Sequence, residues 1–304
     1  MSETGAPRVN RRDFIRLSGA SLSGLLLHPS GRALAAGEGE LAILYDASRC
    51  IGCRACERAC KEFNGLPAVE EPNTALSPTS WNLIAAREGV SHGQQPYFNY
   101  QCMHCTDAAC VMACPSGALA IDERGFVSFD KNKCIGCGYC SQFCPFGIPQ
   151  LGEVNLLTGQ AVASKCTFCQ DKFFAADSGV PCADAGGGGP SCAEACPTGA
   201  LIWGDRRTLV ARAKGRVSEL KDGDHKDAML YGEHEAGGLH RLSILLDEPS
   251  AYGLPEDPGG QFFLARIYRK IIQPAGFAIF GVALAGVTAA YGLARRNIHM
   301  EEVE

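Results

Sequence analysis

Cysteine is the residue in this chain whose number and spacing could do chemistry. Of 17 cysteines in 304 residues, sixteen fall into four groups. The first is Cys50, Cys53, Cys56 and Cys60, and the second is Cys102, Cys105, Cys110 and Cys114, with Pro115 after it. The third is Cys134, Cys137, Cys140 and Cys144, followed by Pro145. The fourth is Cys166 and Cys169, then, after a long gap, Cys192 and Cys196 with Pro197. The first and third groups have the C-x2-C-x2-C-x3-C spacing of [4Fe–4S] ligation. Three thiolates two residues apart on a tight loop can grip three irons of one cubane from one side. The fourth iron needs a ligand from elsewhere, so the last cysteine of a run points away along the start of a helix and serves the neighbouring cluster.

The elements around these loops follow from smaller signals. Gly52, Gly136 and Gly138 lie between ligands, where a missing side chain lets backbone N–H groups approach the sulfides and favour the reduced state. Asp46 to Cys53 recurs as Asp130 to Cys137, and Cys114-Pro-Ser-Gly-Ala-Leu119 recurs as Cys196-Pro-Thr-Gly-Ala-Leu201. Ile121, Phe126, Val127 and Phe129 flank an Asp-Glu-Arg-Gly turn, which predicts a short hairpin. Four groups in this order predict an α+β fold: tandem bacterial ferredoxin-like modules, one nested in the other, with short helices and β-hairpins around four cubane clusters. One C-terminal transmembrane helix completes it.

Two other chemistries use thiols. Disulfides suit an exported chain, but three cysteines within seven residues favour clusters. Zinc sites use paired C-x2-C units, which leaves the third cysteine of each run idle. Cys182 is the leftover thiol. Gly186, not cysteine, stands four residues beyond it, so Cys182 is read as carried on a loop insertion with the Gly186–Gly189 run. His104 could tune a potential or face solvent. Lys165 could offset cluster charge or be a solvated surface lysine. Trp81 and Trp203 read as packing or interface residues rather than electron relays.

Charged residues are 20% of the chain and net charge is −5, with no basic stripe, so nucleic acid is not an expected partner. No catalytic constellation remains once the ligands are subtracted, and the glycine run lacks the Lys-Ser/Thr of a phosphate loop. The chain is therefore expected not to be an enzyme on its own.

The two ends carry other signals. Arg11-Arg12-Asp13-Phe14-Ile15, a mildly apolar run to Leu27 and the small residues Ala33-Leu34-Ala35 read as a twin-arginine export signal, the alternative being an amphipathic surface helix. Such a signal passes folded protein, with cofactors already in place. Between Lys270 and Arg295 lie 24 uncharged residues, enough to span a bilayer core of about 30 Å. Gly281, Ala285 and Ala289 form a small-residue stripe on which another membrane helix could pack. The expected organisation is a signal at 1–35 and a four-cluster domain at 36–205, with an insertion at about 61–101. A partner-docking extension at 206–262, an anchor at 263–296 and a cytoplasmic tail at 297–304 follow. The cysteine domain is expected on the periplasmic side of the inner membrane.

With all four groups in order, residues 41–205 resemble the iron–sulfur subunit family of membrane-bound oxidoreductases. That family serves dimethyl sulfoxide, polysulfide and tetrathionate reductases, formate dehydrogenase and uptake [NiFe]-hydrogenases. The resemblance implies that the first and fourth groups share ligands, as do the second and third. One cluster would use Cys50, Cys53, Cys56 and Cys196, and a second Cys102, Cys105, Cys110 and Cys144. A third would use Cys134, Cys137, Cys140 and Cys114, and a fourth Cys166, Cys169, Cys192 and Cys60. Within the family, an export signal of its own, an anchor ending in Arg295-Arg296, the Gln101–Cys105 segment and Ile267–Lys270 are similar to the electron-transfer subunit of hydrogenase-2-type periplasmic [NiFe]-hydrogenases. The implied partners are the small and large hydrogenase subunits and a quinone-reactive integral membrane subunit. The same relay role in a molybdopterin oxidoreductase is the alternative, and a zinc- or disulfide-stabilised exported scaffold without redox function is the second. The glycine insertion with Cys182 and the stretch from Asp205 to Gly260 depart from the family pattern.

Overall fold

A computed structural model of the protein describes residues 39–68, 74–87, 97–152, 154, 161–174 and 188–296. The export signal, Cys182 and the tail after Arg296 lie outside the described residues.

Strand β1 (Leu41–Asp46) is buried at every position, as a continuous Leu-Ala-Ile-Leu-Tyr run requires. The strands β2 (Leu83–Ala86) and β3 (Tyr97–Tyr100) pair with each other, as do β4 (Leu119–Ile121) and β5 (Val127–Phe129), and β6 (Gln150–Leu151) and β7 (Ala163–Ser164). The partners of β1 come from far along the chain. It is antiparallel to β8 (Leu201–Asp205) and parallel to β10 (Arg241–Leu245), with β9 (Met229–Tyr231) on the outer edge of β10. Residues 206–262, set apart in the sequence as an extension, thus share a sheet with residues 41–46.

The short helices sit beside the cysteine loops. They are α1 (Ala55–Phe63), α2 (Ala109–Ala113), α3 (Tyr139–Gln142), α4 (Gln170–Phe174) and α5 (Ser191–Glu194). Helix α6 (Arg206–Asp222) covers one face of the sheet with Leu209, Ala213 and Leu220. The Asp205 carboxylate caps it by accepting the Thr208 N–H at 2.8 Å, a contact of about 1 kcal/mol. On the other face Tyr45, Phe98 and Tyr252 form an aromatic cluster with Tyr45–Phe98 centroids 5.5 Å apart.

The repeat seen in the sequence is geometric. Asp46 and Asp130 each accept the N–H two residues on, at 2.9 and 3.0 Å, and each opens a 3-10 turn ending at Cys50 or Cys134. The strand leading into each Asp, β1 or β5, pairs with the strand that follows a Cys-Pro-x-Gly-Ala segment, β8 or β4.

The chain ends in a helix of three stretches: α7 (Gly259–Ile267), a π-helical segment Tyr268–Ile272, and α8 (Gln273–Arg296). Phe262–Gly292 is long and apolar enough to cross a membrane, and its most apolar window is wholly exposed. A soluble core helix would instead be buried. Gly281, Ala285 and Ala289 are exposed on it.

Candidate metal centres

Four loops present the paired cysteines, and they share one backbone feature. The residue before the second cysteine is left-handed in each: Gly52 at φ 70°, His104 at 46°, Gly136 at 70° and Phe168 at 63°. Glycine reaches this region freely, whereas histidine and phenylalanine are strained there by about 1–2 kcal/mol each. Successive N–H groups in such turns form concavities that accept anions. At Gly136 a side chain would also meet the Ala161 carbonyl oxygen at 2.8 Å, and at Gly52 the Tyr97 ring at 2.5 Å.

The turns gather the thiols in fours. Cys50, Cys53, Cys56 and Cys196 line one apolar cavity closed by Tyr45, Ile84 and Leu201. The Cys56 thiol is pushed up to about 12, by burial first and then by Glu57, Cys50, Cys196 and Cys53. Cys114, Cys134, Cys137 and Cys140 line a second cavity, beside Leu119, Phe129 and Leu151. Burial and the charges of Cys134, Cys137 and Cys114 raise Cys140 to about 11. The remaining two sets are more deeply buried. Cys60 is raised by burial and then by Cys166, Cys192 and Cys169. Cys105 is raised by burial and then by Cys110, Cys102 and Cys144.

The sets adjoin in turn, with Cys192 within electrostatic reach of Cys56, Cys166 of Cys102, and Cys110 of Cys140. The order is the Cys50 set, the Cys60 set, the Cys102 set and the Cys114 set. Beyond the last, Tyr139 and Phe143, which flank Cys140, pack on Tyr268 of the π-helical segment. Arg269 Nη1 donates to the Val111 and Met112 carbonyls at 3.3 and 3.4 Å.

The cysteine closing each run is not at the start of a helix, as the spacing predicts. Cys60 lies within α1, and Cys114, Cys144 and Cys196 lie just past the ends of α2, α3 and α5. The reason is helical pitch: the x3 spacing fills one turn, so the last cysteine leaves from the end of its helix toward another set.

The surroundings suit thiolate ligands of a cluster. Backbone N–H groups of Ala163, Phe168, Ser191 and Leu201 donate to the sulfurs of Cys134, Cys166, Cys169 and Cys196, each at 3.4 Å. Asn99 and Asn64 side chains donate to Cys56 and Cys60, both at 3.6 Å. Among the described residues, no three His, Cys, Asp or Glu side chains converge on a point as a single ion needs. Thiols set around a cavity instead fit irons at the corners of a cube.

The comparisons agree with this chemistry. Residues 94–206 match a 4Fe-4S dicluster domain and residues 41–62 a 4Fe-4S binding domain. The formate dehydrogenase iron–sulfur subunit of Haemophilus influenzae is 33% identical over 315 residues, spanning 98% of this chain and 93% of that protein. The hydrogenase-2 operon protein HybA of Escherichia coli O157:H7 is 34% identical over 335 residues, spanning 95% and 96%. The chain belongs to this iron–sulfur subunit family. The formate dehydrogenase-O iron–sulfur subunit of Escherichia coli K12 is 36% identical over 262 residues, spanning 81% of this chain and 80% of that protein. Membership makes the chain an iron–sulfur electron-transfer subunit of an oxidoreductase complex and not its catalytic subunit.

For this family member, several polar residues have roles that the sequence hid. His104 does not face solvent: it is 1% exposed, and its Nδ1 accepts the Val127 N–H at 3.0 Å. Lys165 is not a surface lysine. It is 2% exposed and its ammonium donates to the Val127 and Cys166 carbonyls at 3.0 and 2.8 Å. Trp81 Nε1 donates to Ser164 Oγ at 2.5 Å, and Trp203 packs half-buried on Phe173. Gln101 has no role of its own in the sequence beyond its place in the Gln101–Cys105 segment, yet its side chain lies 3.8 Å from the Cys192 sulfur and 3.9 Å from the Cys166 sulfur. Its one sequence signal is its place immediately before Cys102.

Proposed function

We propose that each of the four thiol sets holds one [4Fe–4S] cluster and that the chain relays electrons between a catalytic partner and a quinone-reactive membrane partner. The observation that carries this is the left-handed residue common to all four C-x2-C loops, kept even where histidine and phenylalanine must bear the strain. Bound clusters supply one-electron carriers. The chain supplies sixteen thiolates, the N–H donors on their sulfurs and the dry interior. The ligand sets are those given above: Cys50, Cys53, Cys56 and Cys196; Cys60, Cys166, Cys169 and Cys192; Cys102, Cys105, Cys110 and Cys144; Cys114, Cys134, Cys137 and Cys140. Their order supports two nested ferredoxin-like modules whose last set stands at the foot of the membrane-length helix. That helix anchors the chain, with Gly281, Ala285 and Ala289 against a membrane partner. The twin-arginine segment exports the domain, already folded, to the periplasm.

The catalytic partner in this reading is a [NiFe]-hydrogenase, and electrons run from H2 to quinone. The end-to-end match to HybA supports it. A formate dehydrogenase is the second reading, favoured by the match to the Haemophilus influenzae subunit. Iron analysis tests the relay. Four cubanes require about sixteen irons and as many acid-labile sulfides per chain, and zinc in their place, or about four irons, refutes the count. Co-purification from solubilised membranes tests the partner: a nickel protein supports hydrogenase, and a molybdopterin protein ends that reading.

A further inference from the structure

Arg241 belongs to no cysteine motif. It opens β10, and its guanidinium is 1% exposed in the middle of the domain. Nη1 donates to the Leu242 carbonyl at 3.0 Å, and Nη2 to Asn99 Oδ1 at 2.8 Å and the Asn99 carbonyl at 3.3 Å. The guanidinium carbon lies 5.1 Å from the Tyr45 ring centroid, and Nε has no hydrogen-bond partner. Among the described residues, no Asp or Glu forms an ion pair with it.

A guanidinium stripped of water and left without an anion is strongly disfavoured. The groups whose negative charge would support it are the Cys192 thiol first, then Tyr45, Cys56 and Cys166. Cys192 and Cys166 belong to the Cys60 set and Cys56 to the Cys50 set. Asn99 links the two chemistries, because its Oδ1 accepts a hydrogen bond from the guanidinium while its Nδ2 donates to the Cys56 sulfur at 3.6 Å. The Cys102 set has a buried cation of its own, Lys165, whose charge acts on Cys110.

We propose that Arg241 is the buried counter-charge shared by the Cys50 and Cys60 sets, a positioning residue that stabilises the reduced state of the clusters held there. The inference rests on the four-cluster reading. A reduced cluster carries one more negative charge than an oxidised one, so a fixed cation nearby favours the electron and raises the potential. The interior screens this weakly, and the effect falls with distance, so the Cys102 and Cys114 sets feel it least.

The test is a potentiometric titration followed by electron paramagnetic resonance on the full chain, with iron and sulfide measured first. In Arg241→Gln, two of the four midpoint potentials fall and two stay, while Arg241→Lys remains near the wild type. No shift, or an equal shift of all four, overturns the proposal. Should Arg241→Gln lose iron, Arg241→Lys decides. Retention of about sixteen irons supports the charge, and a lysine variant as depleted as the glutamine variant overturns it. A wild-type chain far short of four clusters removes the cluster reading and this one with it, whereas four clusters without a shift remove this one alone.

Discussion

The rings of Tyr139 and Tyr268 meet edge to face, with centroids 5.1 Å apart at 65°. Tyr139 opens the helix that carries Cys140, and Tyr268 opens the π-helical segment that leads into α8. The contact ties the last thiol set to the terminal helix, and Phe143 adds a second ring at 5.5 Å. Each such pair is worth about 0.5–1.5 kcal/mol beyond its burial. Tyr268→Ala is therefore expected to leave iron content at the wild-type level while lowering electron delivery to quinone in membranes. Parallel iron analysis and quinone-reduction assays check it, and iron lost in proportion to activity would mean that the pair serves only stability.

Cys56 and Cys60 stand one helical turn apart on α1 but are grouped with different partners. Cys56→Ser and Cys60→Ser are each expected to cost up to about four irons, with different resonances lost from the paramagnetic spectrum. Cys182→Ser is expected to keep the full complement. An iron deficit in Cys182→Ser assigns that thiol to a cluster and displaces one of the sixteen.

Gly136 and Gly65 both hold positive φ, at 70° and 61°, but only Gly136 is crowded, with the Ala161 backbone on its open side. Alanine at either position carries the left-handed cost of about 1–2 kcal/mol. At Gly136 a clash with backbone atoms adds to it. Thermal unfolding is expected to show Gly136→Ala lowering the midpoint clearly more than Gly65→Ala. Equal effects would place the cost in the dihedral alone.

Burial holds His240 below the ordinary histidine value, opposed in part by its bond to the Leu41 carbonyl and by Glu40. Its Nδ1 lies 2.7 Å from that carbonyl oxygen. An unfolded chain binds the proton near pH 6.5 and the folded chain only at lower pH. The contribution to stability is thus complete above about pH 6.5 and declines as pH falls from there toward the lower folded value. The unfolding midpoint is expected to drop between pH 7.5 and 5.5, and His240→Gln to drop less. A midpoint that rises on acidification contradicts the assignment.

Much of the site was legible because its determinants are local. The x2 and x3 spacings set which thiols a single turn can present. Asp46 and Asp130 cap their turns through bonds two residues long, and Val127 and Phe129 face Leu119 and Ile121 across a tight hairpin. Hydropathy alone marks the terminal helix, since no partner is needed to count 24 uncharged residues. Tertiary structure decided what depends on distant chain. Sequence spacing could not reveal that β1 is closed by strands about 160 and 200 residues away, because strand pairing is chosen by burial of whole faces. Nor could it reveal that Lys165, His104 and Arg241 are interior residues. A lysine, a histidine or an arginine reads as solvated until the fold removes its water, and here the fold does so where thiolates gather.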